Sequence, residues 1–504
     1  MLWIALHLPW LSLEAFVATL DAARSAEPIA LIDAHQLSAA NAAARALGVA
    51  SGQKRATALA LAPRLLLGQA DAARDALALQ AVAHAALAFT PMVCLEPAAR
   101  RGEAPHTVLL EVRSTLRYFG GLARLLKRLR EVLAPLGHRL RVASAPTPLG
   151  AALLARGAPQ HCADRTALQC ALDALPVQLL TPDPAHHDAF QAMGLATLAE
   201  LRRQPRAGLA RRFGQPLLEA LDRACGARPD PRVPITLPPG FESRLELFTR
   251  ADNAEQLLHA AALLLARLAA WLAAQHAFVR GFTLVMQHEP RWRRERAIPQ
   301  QTLLEIALAE PSRDPAHLQA LLRERLGRLQ LAAPTLELGL VAGELVPQAP
   351  PNGELFPSAA SEREGLLRLI ERLQARLGVE QVQQLQAVHD PRPEKASLVR
   401  PADPARLGSR RHAPELPAGW PLRPVWLLAP PEPLPERGLL PLLDGRALQL
   451  LSGPERVEAG WWDHDLAERD YFIAQDGEGA LLWLYRARRP TAEGSGWYLQ
   501  GRFA

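Results

Sequence analysis

The sequence predicts a protein of several domains that belongs to the α/β and α+β classes. Its 504 residues are 49% hydrophobic, which is enough apolar surface for more than one core. Residues 1 to about 170 alternate short apolar runs, such as "EPIALIDA" and "TVLLEVRS", with alanine-rich helical stretches. That alternation is typical of a mixed sheet covered by helices. Residues 241–346 alternate strands and helices differently and indicate a separate α+β module.

Charge and cysteine content narrow the class of partner and the compartment. Lys and Arg outnumber Asp and Glu by 57 to 51, and the pI is about 9.5, which weakly favours a polyanionic partner. The four cysteines form no Cys-x-x-Cys pair and have no histidine cluster near them. The pattern indicates neither a zinc site nor a disulfide framework, so we expect no metal, no cofactor and a reducing cytoplasm.

Two apolar stretches could be mistaken for membrane segments. The first, "LWIALHLPWLSLEAF", lacks a basic flank and is interrupted by polar residues and proline, so it predicts a buried strand turning into a helix and not a signal peptide. The second, Leu257–Gln275, carries Arg267, and an arginine near the centre of a bilayer is costly. We therefore predict a buried amphipathic helix there and no membrane partner.

Changes in composition divide the chain into five segments. An α/β segment at 1–172 is followed by a helical, arginine-rich segment at 173–232 and by the α+β module at 233–346. The proline-rich "VPQAPPNGELFPSAAS" cannot form a regular element and predicts an exposed linker at 347–360. The last segment, 361–504, begins with one short helix and ends in strand-like runs.

Aromatic side chains are concentrated at the C-terminal end of a chain that contains only 5% of them. One interpretation is the compact core of a small β-rich module, because aromatic residues in strands usually pack together. The other is an interaction surface that binds a protein partner. The candidate partner-binding residues are Trp483, Tyr485, Trp497 and Phe503.

One stretch, "SAANAAARALGVASGQKRATALALAPRLLL" at Ser38–Leu67, resembles the fingers of Y-family translesion DNA polymerases, whose "S-x-A-N-Y-E-A-R-x-F-G-V" run precedes a similar helix. The opening strand, the hairpin "LEPAARRGEAPHTVLLEVRSTLRYFGG" and the helical "LPVQLLTPDPAHHDAFQAMGLATLAELRR" are similar to other parts of the family in the same order. The resemblance implies a right hand with a C-terminal extension: palm and fingers at 1–172, thumb at 173–232 and little finger at 233–346.

The acids that would form the family's active site are largely missing from this chain. Y-family enzymes hold two divalent cations between carboxylates of the first strand and of the palm hairpin. Matching Glu14 to the last glutamate of "H-V-D-M-D-C-F-F-A-x-V-E" puts Ala5 and His7 at the two aspartates. The acidic pair of the hairpin falls on Glu96 and Pro97. One carboxylate and a lone imidazole make a poor magnesium site, so the resemblance implies no catalytic residue, and a packed or solvent-facing His7 is favoured over a metal ligand.

The nucleotide pocket that the resemblance implies is altered as well. The fingers tyrosine that contacts the triphosphate in the family corresponds to Ala42, and its partner arginine corresponds to Arg45. Arg156 in "LLARGAP" loosely matches a phosphate-binding lysine. A surface arginine without a ligand explains Arg45 equally well, and both interpretations stay open.

Arginines are concentrated at two places where a DNA backbone could bind. Guanidinium groups bind phosphates without reading the base sequence. A solvated helical face explains the first group equally well. The candidates are Arg202, Arg203, Arg211 and Arg212 in the helical segment and Arg291, Arg293 and Arg294 in the "RWRRER" loop.

A Y-family-like chain that lacks its acids and has a long extension resembles the catalytically inactive members of bacterial damage-induced mutagenesis cassettes. The terminal "ERDYFIAQDGEGALLWLYRARRP" and "GWYLQGRFA" are similar to their C-terminal signature. The resemblance implies a scaffold that joins the sliding clamp, DNA, a RecA-like protein and an error-prone polymerase. It also implies a cytoplasmic location, at the nucleoid after DNA damage.

The linker contains a candidate clamp-binding peptide, "NGELF". Bacterial clamp-binding segments resemble Q-L-x-L-F, in which a Leu-Phe pair enters an apolar pocket. An exposed linker has little structural reason to present two adjacent large apolar residues. The rival "RLELF", which ends at Phe248, is closer to the motif but lies in a predicted strand, whose alternation buries such side chains. The candidate residues are Asn352, Gly353, Glu354, Leu355 and Phe356.

Two other functions stay open from the sequence. An active translesion polymerase would require carboxylates that the chain lacks at the matching positions, and primer extension distinguishes it. A DNA-binding repair factor that works without the clamp would lack a working clamp peptide in the linker.

Overall fold

A computed structural model of the protein describes residues 1–21, 23–97, 106–290, 299–347, 359–403, 422–489 and 496–503, without the side chains of 359–362 and 364. The chain divides into two compact units, Met1–Phe356 and Pro357–Ala504, and each is described by itself. The boundary falls inside the predicted linker at 347–360. The finer domain boundaries within each unit stay predictions.

The first part of the first unit contains two sheets. The elements up to residue 173 are β1 (Trp3–His7), α1 (Leu11–Val17), β2 (Ile29–Asp33), β3 (Gln36–Ala40), α2 (Ala42–Ala46), α3 (Arg55–Leu61), β4 (Leu66–Gln69), α4 (Ala72–Leu87), β5 (Val93–Leu95), β6 (Thr107–Glu111), α5 (Leu116–Phe119), α6 (Leu122–Leu133), β7 (Arg141–Ala145), α7 (Pro148–Arg156) and α8 (Arg165–Asp173).

The central sheet of this part is antiparallel and has the strand order β5-β6-β1-β7. Because successive side chains of a strand point to opposite faces, β1 contributes to two cores. Ile4 and Leu6 pack under α4 and α6. Ala5 packs against α7 and the helices that follow it. Both faces of the sheet are therefore buried, which explains the continuous apolar run of β1.

A smaller sheet with the order β3-β2-β4 carries α2 and α3. Asn41, the asparagine of the "SAAN" motif, joins these elements. Its side-chain oxygen accepts hydrogen bonds from the backbone of Ala44 at 2.9 Å and of Ile29 at 3.1 Å, so it caps α2 and ties the helix to β2. The motif asparagine therefore has a structural role in this chain.

Four helices follow: α9 (Pro184–Ala192), α10 (Leu198–Arg203), α11 (Arg206–Phe213) and α12 (Gln215–Cys225). Thr197 and Glu200 form a capping box at the start of α10. The rings of Phe190 and Phe213 lie 4.7 Å apart in the core that these helices share with α7. The predicted helical segment is thus packed directly against one face of the central sheet.

The α+β module consists of β8 (Glu242–Ala251), α13 (Ala254–Gln275), β9 (Ala277–His288), β10 (Gln301–Ser312), α14 (Pro315–Arg328), β11 (Thr335–Ala342) and β12 (Leu345–Pro347). Its sheet has the order β10-β9-β11-β8, and β12 pairs with β9.

Among the described residues, α13 is the one helix long and apolar enough to cross a membrane. Eleven of its residues are buried, and Ala266 and Ala270 pack into the core beneath the central sheet. Arg267 is buried too; it donates a hydrogen bond to the Ser243 hydroxyl at 3.1 Å, and burial lowers its pKa to about 10. The helix is a core element, as the sequence predicts.

The second unit is mostly β-structure. Its elements are α15 (Ala359–Leu377), β13 (Gln383–Ala387), β14 (Ser397–Pro401), β15 (Trp426–Leu434), β16 (Glu436–Arg437), β17 (Leu440–Leu443), β18 (Arg446–Ala447), β19 (Gln449–Ala459), β20 (Ala467–Gln475), β21 (Leu481–Ala487) and β22 (Trp497–Arg502). A five-stranded sheet has the order β15-β22-β21-β20-β19. The predicted fold class, α/β and α+β in several domains with a C-terminal extension, is confirmed.

A charged cluster lies within the second unit. The Arg392 side chain is 1% exposed and donates to the Asp390 and Asp463 carboxylates at 2.7 Å each. Lys395 lies 2.9 Å from Asp463. The hydrogen bonds from Arg392 and then Lys395 hold the pKa of Asp463 well below its usual range. A buried arginine with such partners fixes the loop that connects β19 to β20.

Candidate functional site

The positions predicted to have lost their acids lie at one end of the central sheet. In register, Ala5 of β1 stands between Leu109 and Ala143, and His7 stands between Thr107 and Arg141. Ala5 is completely buried and has no polar atom on its side chain. Strand β1 therefore places Ala5 and His7 at this end of the sheet, but neither residue has a carboxylate.

His7 is a partly buried, neutral side chain. Its Nδ1 lies 3.0 Å from the Thr107 hydroxyl. Burial, followed by the positive charge of Arg156, lowers the pKa of His7 to about 4. The imidazole consequently carries no charge at neutral pH, which agrees with the prediction of a packed histidine.

Glu96, the surviving acid, is held by arginines. One of its oxygens accepts a hydrogen bond from Arg232 Nη1 at 2.8 Å, and the other lies 3.9 Å from Arg156 Nη2. Arg232 also donates to Asp230 at 2.7 Å, and Asp230 accepts from the Leu149 backbone at 3.2 Å. We call Glu96, Arg156, Asp230 and Arg232 the Arg232 cluster.

The Arg232 cluster is shielded from water. The side chains of Glu96, Asp230 and Arg232 are 13%, 9% and 11% exposed. Burial alone would lower the pKa of Arg232, but its hydrogen bond to Asp230 and the charge of Glu96 outweigh burial and raise it. The guanidinium is thus a permanent cation between two carboxylates.

The sequence analysis missed Asp230 and Arg232, which lie in the proline-rich "RPDPRVPITLPPG" between the helical segment and the α+β module; we call residues 228–240 the interdomain linker. The only signal was the presence of an acid and a base in "RPDPRVP". The linker is also tied to the sheet by its backbone, because Ile235 N donates to Val93 O at 2.8 Å. These contacts fix residues 230–235 against β5, next to Glu96.

Two divalent cations do not fit this set of residues. They would need several oxygen ligands, whereas Ala5 has none and His7 is engaged with Thr107. The oxygens of Glu96 face two guanidinium groups, whose charge repels a cation. Pro97, at the second position of the hairpin pair, is exposed and has no ligand atom on its side chain. Within the described ranges, no group of three or more His, Cys, Asp or Glu residues could hold a metal.

The predicted nucleotide-pocket residues contact other parts of the protein. Ala42 is the exposed first residue of α2. The Arg45 guanidinium lies 4.6 Å from the centre of the Trp10 ring, a cation–π contact. Arg156 faces Glu96 and donates weakly to Ala152 O at 3.4 Å. Arg45 is therefore an exposed arginine whose guanidinium packs on Trp10, and its part in nucleotide binding stays a prediction.

Curated relatives match the chain along nearly its whole length, although no family model matches it. Protein ImuB of Caulobacter vibrioides, strain NA1000 / CB15N, is 29% identical over 482 residues, which cover 91% of this chain and 100% of the relative. Protein ImuB of strain ATCC 19089 / CIP 103742 / CB 15 gives the same values. This chain is similar to ImuB along nearly its whole length. The resemblance predicted from the sequence is thus confirmed as a similarity to ImuB, and the absence of catalysis stays a prediction.

Solved structures of Y-family polymerases resemble the chain more distantly. The insertion ternary complex of Dbh DNA polymerase is 15% identical, with a TM-score of 0.39 over 69% of this chain and 99% of that one. DinB from Sulfolobus solfataricus is 15% identical, with a TM-score of 0.38 over 68% and 98%. The architecture given above rests on the strand order of this chain itself and not on these scores.

The arginines predicted to bind DNA fall into different environments in the structure. Arg202 is paired with Asp173 at 2.5 Å. Arg203, Arg211 and Arg212 are exposed; the charge of Arg203 acts on Glu200, whereas Arg211 and Arg212 form no ion pair with a carboxylate among the described residues. Arg291, Arg293 and Arg294 lie outside the described residues. The helical segment thus offers three exposed cations, Arg203, Arg211 and Arg212, and DNA binding stays a prediction.

The predicted clamp peptide, Asn352–Phe356, also lies outside the described residues. Its rival is described: in β8 the side chains of Leu245 and Leu247 are buried, whereas Phe248 is 44% exposed. The Phe248 ring packs against Phe16 at 5.1 Å. The strand therefore buries the leucines of "RLELF", as the predicted alternation requires, and its phenylalanine is engaged within the first unit.

The aromatic residues predicted to bind a protein partner lie in the core of the five-stranded sheet of the second unit. Trp483, Tyr485 and Trp497 are 2%, 7% and 3% exposed. Trp483 stacks on Tyr471 at 4.3 Å, and Phe503 packs at the edge of the same cluster. Their burial supports the packing interpretation. Partner binding by the unit stays a prediction, and its exposed aromatic side chains include Trp461 and Trp426.

Proposed function

We propose that the chain is a non-catalytic, polymerase-like scaffold in SOS-induced translesion DNA synthesis and mutagenesis. Its similarity to ImuB over 91% of the chain supports the cassette, and the salt bridge from Arg232 to Glu96 supports the absence of catalysis. The scaffold links DNA and the sliding clamp to ImuA, a RecA-like protein, and to ImuC, the error-prone polymerase that performs synthesis.

The Arg232 cluster carries the non-catalytic part of this proposal. Nucleotidyl transfer in the Y family uses two metal ions that stabilise the attacking and the leaving oxygens, which supplies several kcal/mol to the transition state. The Arg232 guanidinium neutralises the charge of Glu96. Unlike a metal ion, it has no open coordination sites with which to bind the attacking and the leaving oxygens. At this edge of the sheet, next to Ala5 and His7, Glu96 forms a structural salt bridge that joins the palm to the interdomain linker at 228–240.

DNA binding would be independent of catalysis. The exposed Arg203, Arg211 and Arg212 on α10 and α11 can neutralise phosphates, and the sequence "RWRRER" at 291–296 supplies further cations. Such contacts are indifferent to sequence, as a factor that works at varied lesions requires.

In this proposal, the linker at 347–360 and the second unit bind the protein partners. Leu355 and Phe356 would enter the clamp, with an affinity that depends on avidity because the motif is degenerate. Residues 361–504 would bind ImuA and ImuC. The working location is the cytoplasm, at the nucleoid after damage.

Two assays on the full chain test the proposal. With primed template, dNTPs and Mg²⁺ or Mn²⁺, we expect no extension above background; metal-dependent extension that Glu96→Ala abolishes would instead identify an active polymerase. The double substitution Leu355→Ala and Phe356→Ala should abolish clamp binding. Phe248→Ala is the matched control and should retain it. The reverse pattern would assign the clamp contact to "RLELF".

A further inference from the structure

A groove of about 650 Å³ lies in the first unit, at the opposite end of β5 from the Arg232 cluster. Thr90 and Pro91, which precede β5, line the groove, whereas Glu96 follows the strand. We call it the palm groove. It belongs to neither the eroded catalytic edge nor the predicted DNA surface on α10 and α11.

The palm groove has an aromatic wall. The centre of the Phe119 ring lies 5.2 Å from that of the buried Phe89 and 5.0 Å from that of Tyr118. The Tyr118 side chain is 83% exposed. Ile235 and Leu237 of the linker line the groove as well. None of its described lining residues is acidic. An aromatic wall of this kind accepts a large apolar side chain.

Its rim is basic on the α5–α6 side. The Arg128 guanidinium lies 6.0 Å from the Phe119 ring, and the Arg124 side chain lies against Gly120, directly after Phe119. Arg117 and Lys127 belong to the same segment. All four side chains are exposed, and none forms an ion pair with a carboxylate among the described residues. Four neighbouring cations without acids favour an anionic partner.

The groove also borders two helix C-termini. Helix α4 ends at Leu87 and α13 ends at Gln275, and Leu87, Ala88, Ala274 and His276 are lining residues. Helix C-termini present carbonyl groups and a partial negative charge, so they accept hydrogen bonds from N–H donors and repel phosphates. The interior thus favours a peptide over a nucleic acid, while the rim favours carboxylates.

We propose that the palm groove binds an acidic peptide segment of a protein partner, with an apolar or aromatic side chain as its anchor. The anchor packs on Phe119, the backbone N–H groups face the two helix ends, and the carboxylates face Arg124 and Arg128. This surface goes beyond the scaffold proposed above and does not require the clamp peptide or the second unit.

The test uses the full chain and a fluorescent peptide, Asp-Glu-Asp-Asp-Glu-Asp-Leu-Leu-Trp, in an anisotropy titration at low salt. We expect saturable binding that weakens with salt. Substituting Arg124→Glu and Arg128→Glu together should weaken it about fivefold or more, because two exposed charge contacts become repulsive. Ala88→Trp, which fills the groove, should weaken it without changing the charge.

Matched controls separate the groove from general charge. The pair Arg55→Glu and Arg64→Glu, exposed residues in and after α3, should leave peptide binding unchanged. A peptide with Gly-Ser-Gly in place of Leu-Leu-Trp should bind more weakly. Absence of saturable binding, or equal loss in both charge-reversed pairs, would overturn the proposal. So would loss of oligo-dT binding in the Arg124/Arg128 variant with unchanged peptide binding, which would assign the rim to nucleic acid. Unchanged thermal unfolding confirms that each variant is folded.

Discussion

At the scale of single residues, Arg232 decides what the remaining acid can do. A carboxylate at the end of a palm hairpin would be an obvious metal ligand, yet Glu96 accepts a hydrogen bond from the Arg232 guanidinium at 2.8 Å. The same guanidinium holds Asp230, so one side chain connects the sheet edge to the linker. Glu96 therefore takes part in a structural salt bridge.

Arg232→Met should destabilise the first unit by about 3 kcal/mol, since it leaves two shielded carboxylates without their counter-ion. Chemical unfolding of the full chain measures this loss. Arg228→Met is the matched control, because Arg228 is 52% exposed and its pair with Glu219 should contribute less than about 1 kcal/mol. Equal losses in the two variants would mean that the Arg232 cluster is not a structural lock.

A second residue-scale prediction concerns acid stability of the second unit. The pKa of Asp463 is depressed by Arg392 and Lys395, so its contribution is complete above the unfolded pKa of about 4 and is lost as pH falls below it. Arg392→Met should lower the melting temperature at pH 7 and should narrow its difference from wild type at pH 3. Arg456→Met, in an exposed pair with Asp470, is the control and should have little effect. A pH-independent difference would contradict the assignment.

At the scale of elements, the segment of helices α10 to α12 and the residues just after it contain two kinds of arginine: those paired with a carboxylate and those that are not. Arg206 is bound to Asp222 at 2.6 Å and Arg228 to Glu219 at 2.9 Å, so their charges are already neutralised. Arg211 and Arg212 at the end of α11 have no such partner among the residues described. Helical arginine density alone therefore overstates the charge that is available to DNA.

Substituting Arg211→Gln and Arg212→Gln together should weaken binding to random-sequence duplex DNA about tenfold and should reduce the slope of affinity against salt between ~50 and 200 mM. The double variant Arg206→Gln and Arg228→Gln removes the same formal charge from paired residues and should change affinity much less. Anisotropy titrations at several salt concentrations measure both. Equal effects in the two variants would place the DNA surface elsewhere.

At the scale of the whole molecule, the chain consists of two compact units whose boundary falls at residue 356. The five-stranded sheet of the second unit is completed by β20, β21 and β22, which lie between residues 467 and 502. A deletion that begins at residue 461 would cut this sheet and leave β19 as an unpaired edge. The first unit contains none of these strands.

A chain that ends at residue 356 should therefore retain the melting transition of the first unit and lose that of the second. A chain that ends at residue 460 should also keep the first transition but should aggregate, because a cut sheet exposes apolar edges. Calorimetry of the two truncations checks this. Neither should capture ImuA or ImuC in a pull-down. Loss of the first transition in the 1–356 chain would show that the units fold together.

The sequence by itself determined the order of elements, the missing acids at Ala5 and His7, and the burial of α13, because residue identity and local periodicity carry these features. Only the tertiary structure decided what Glu96 contacts: Arg232 reaches it across 136 residues, and no local pattern records such a contact. It also placed Trp483 in a core, because neighbouring strands cover it, which supports the packing interpretation of the tail. Burial and charge pairing depend on which distant segments fold together, and that information is absent from any short stretch of sequence.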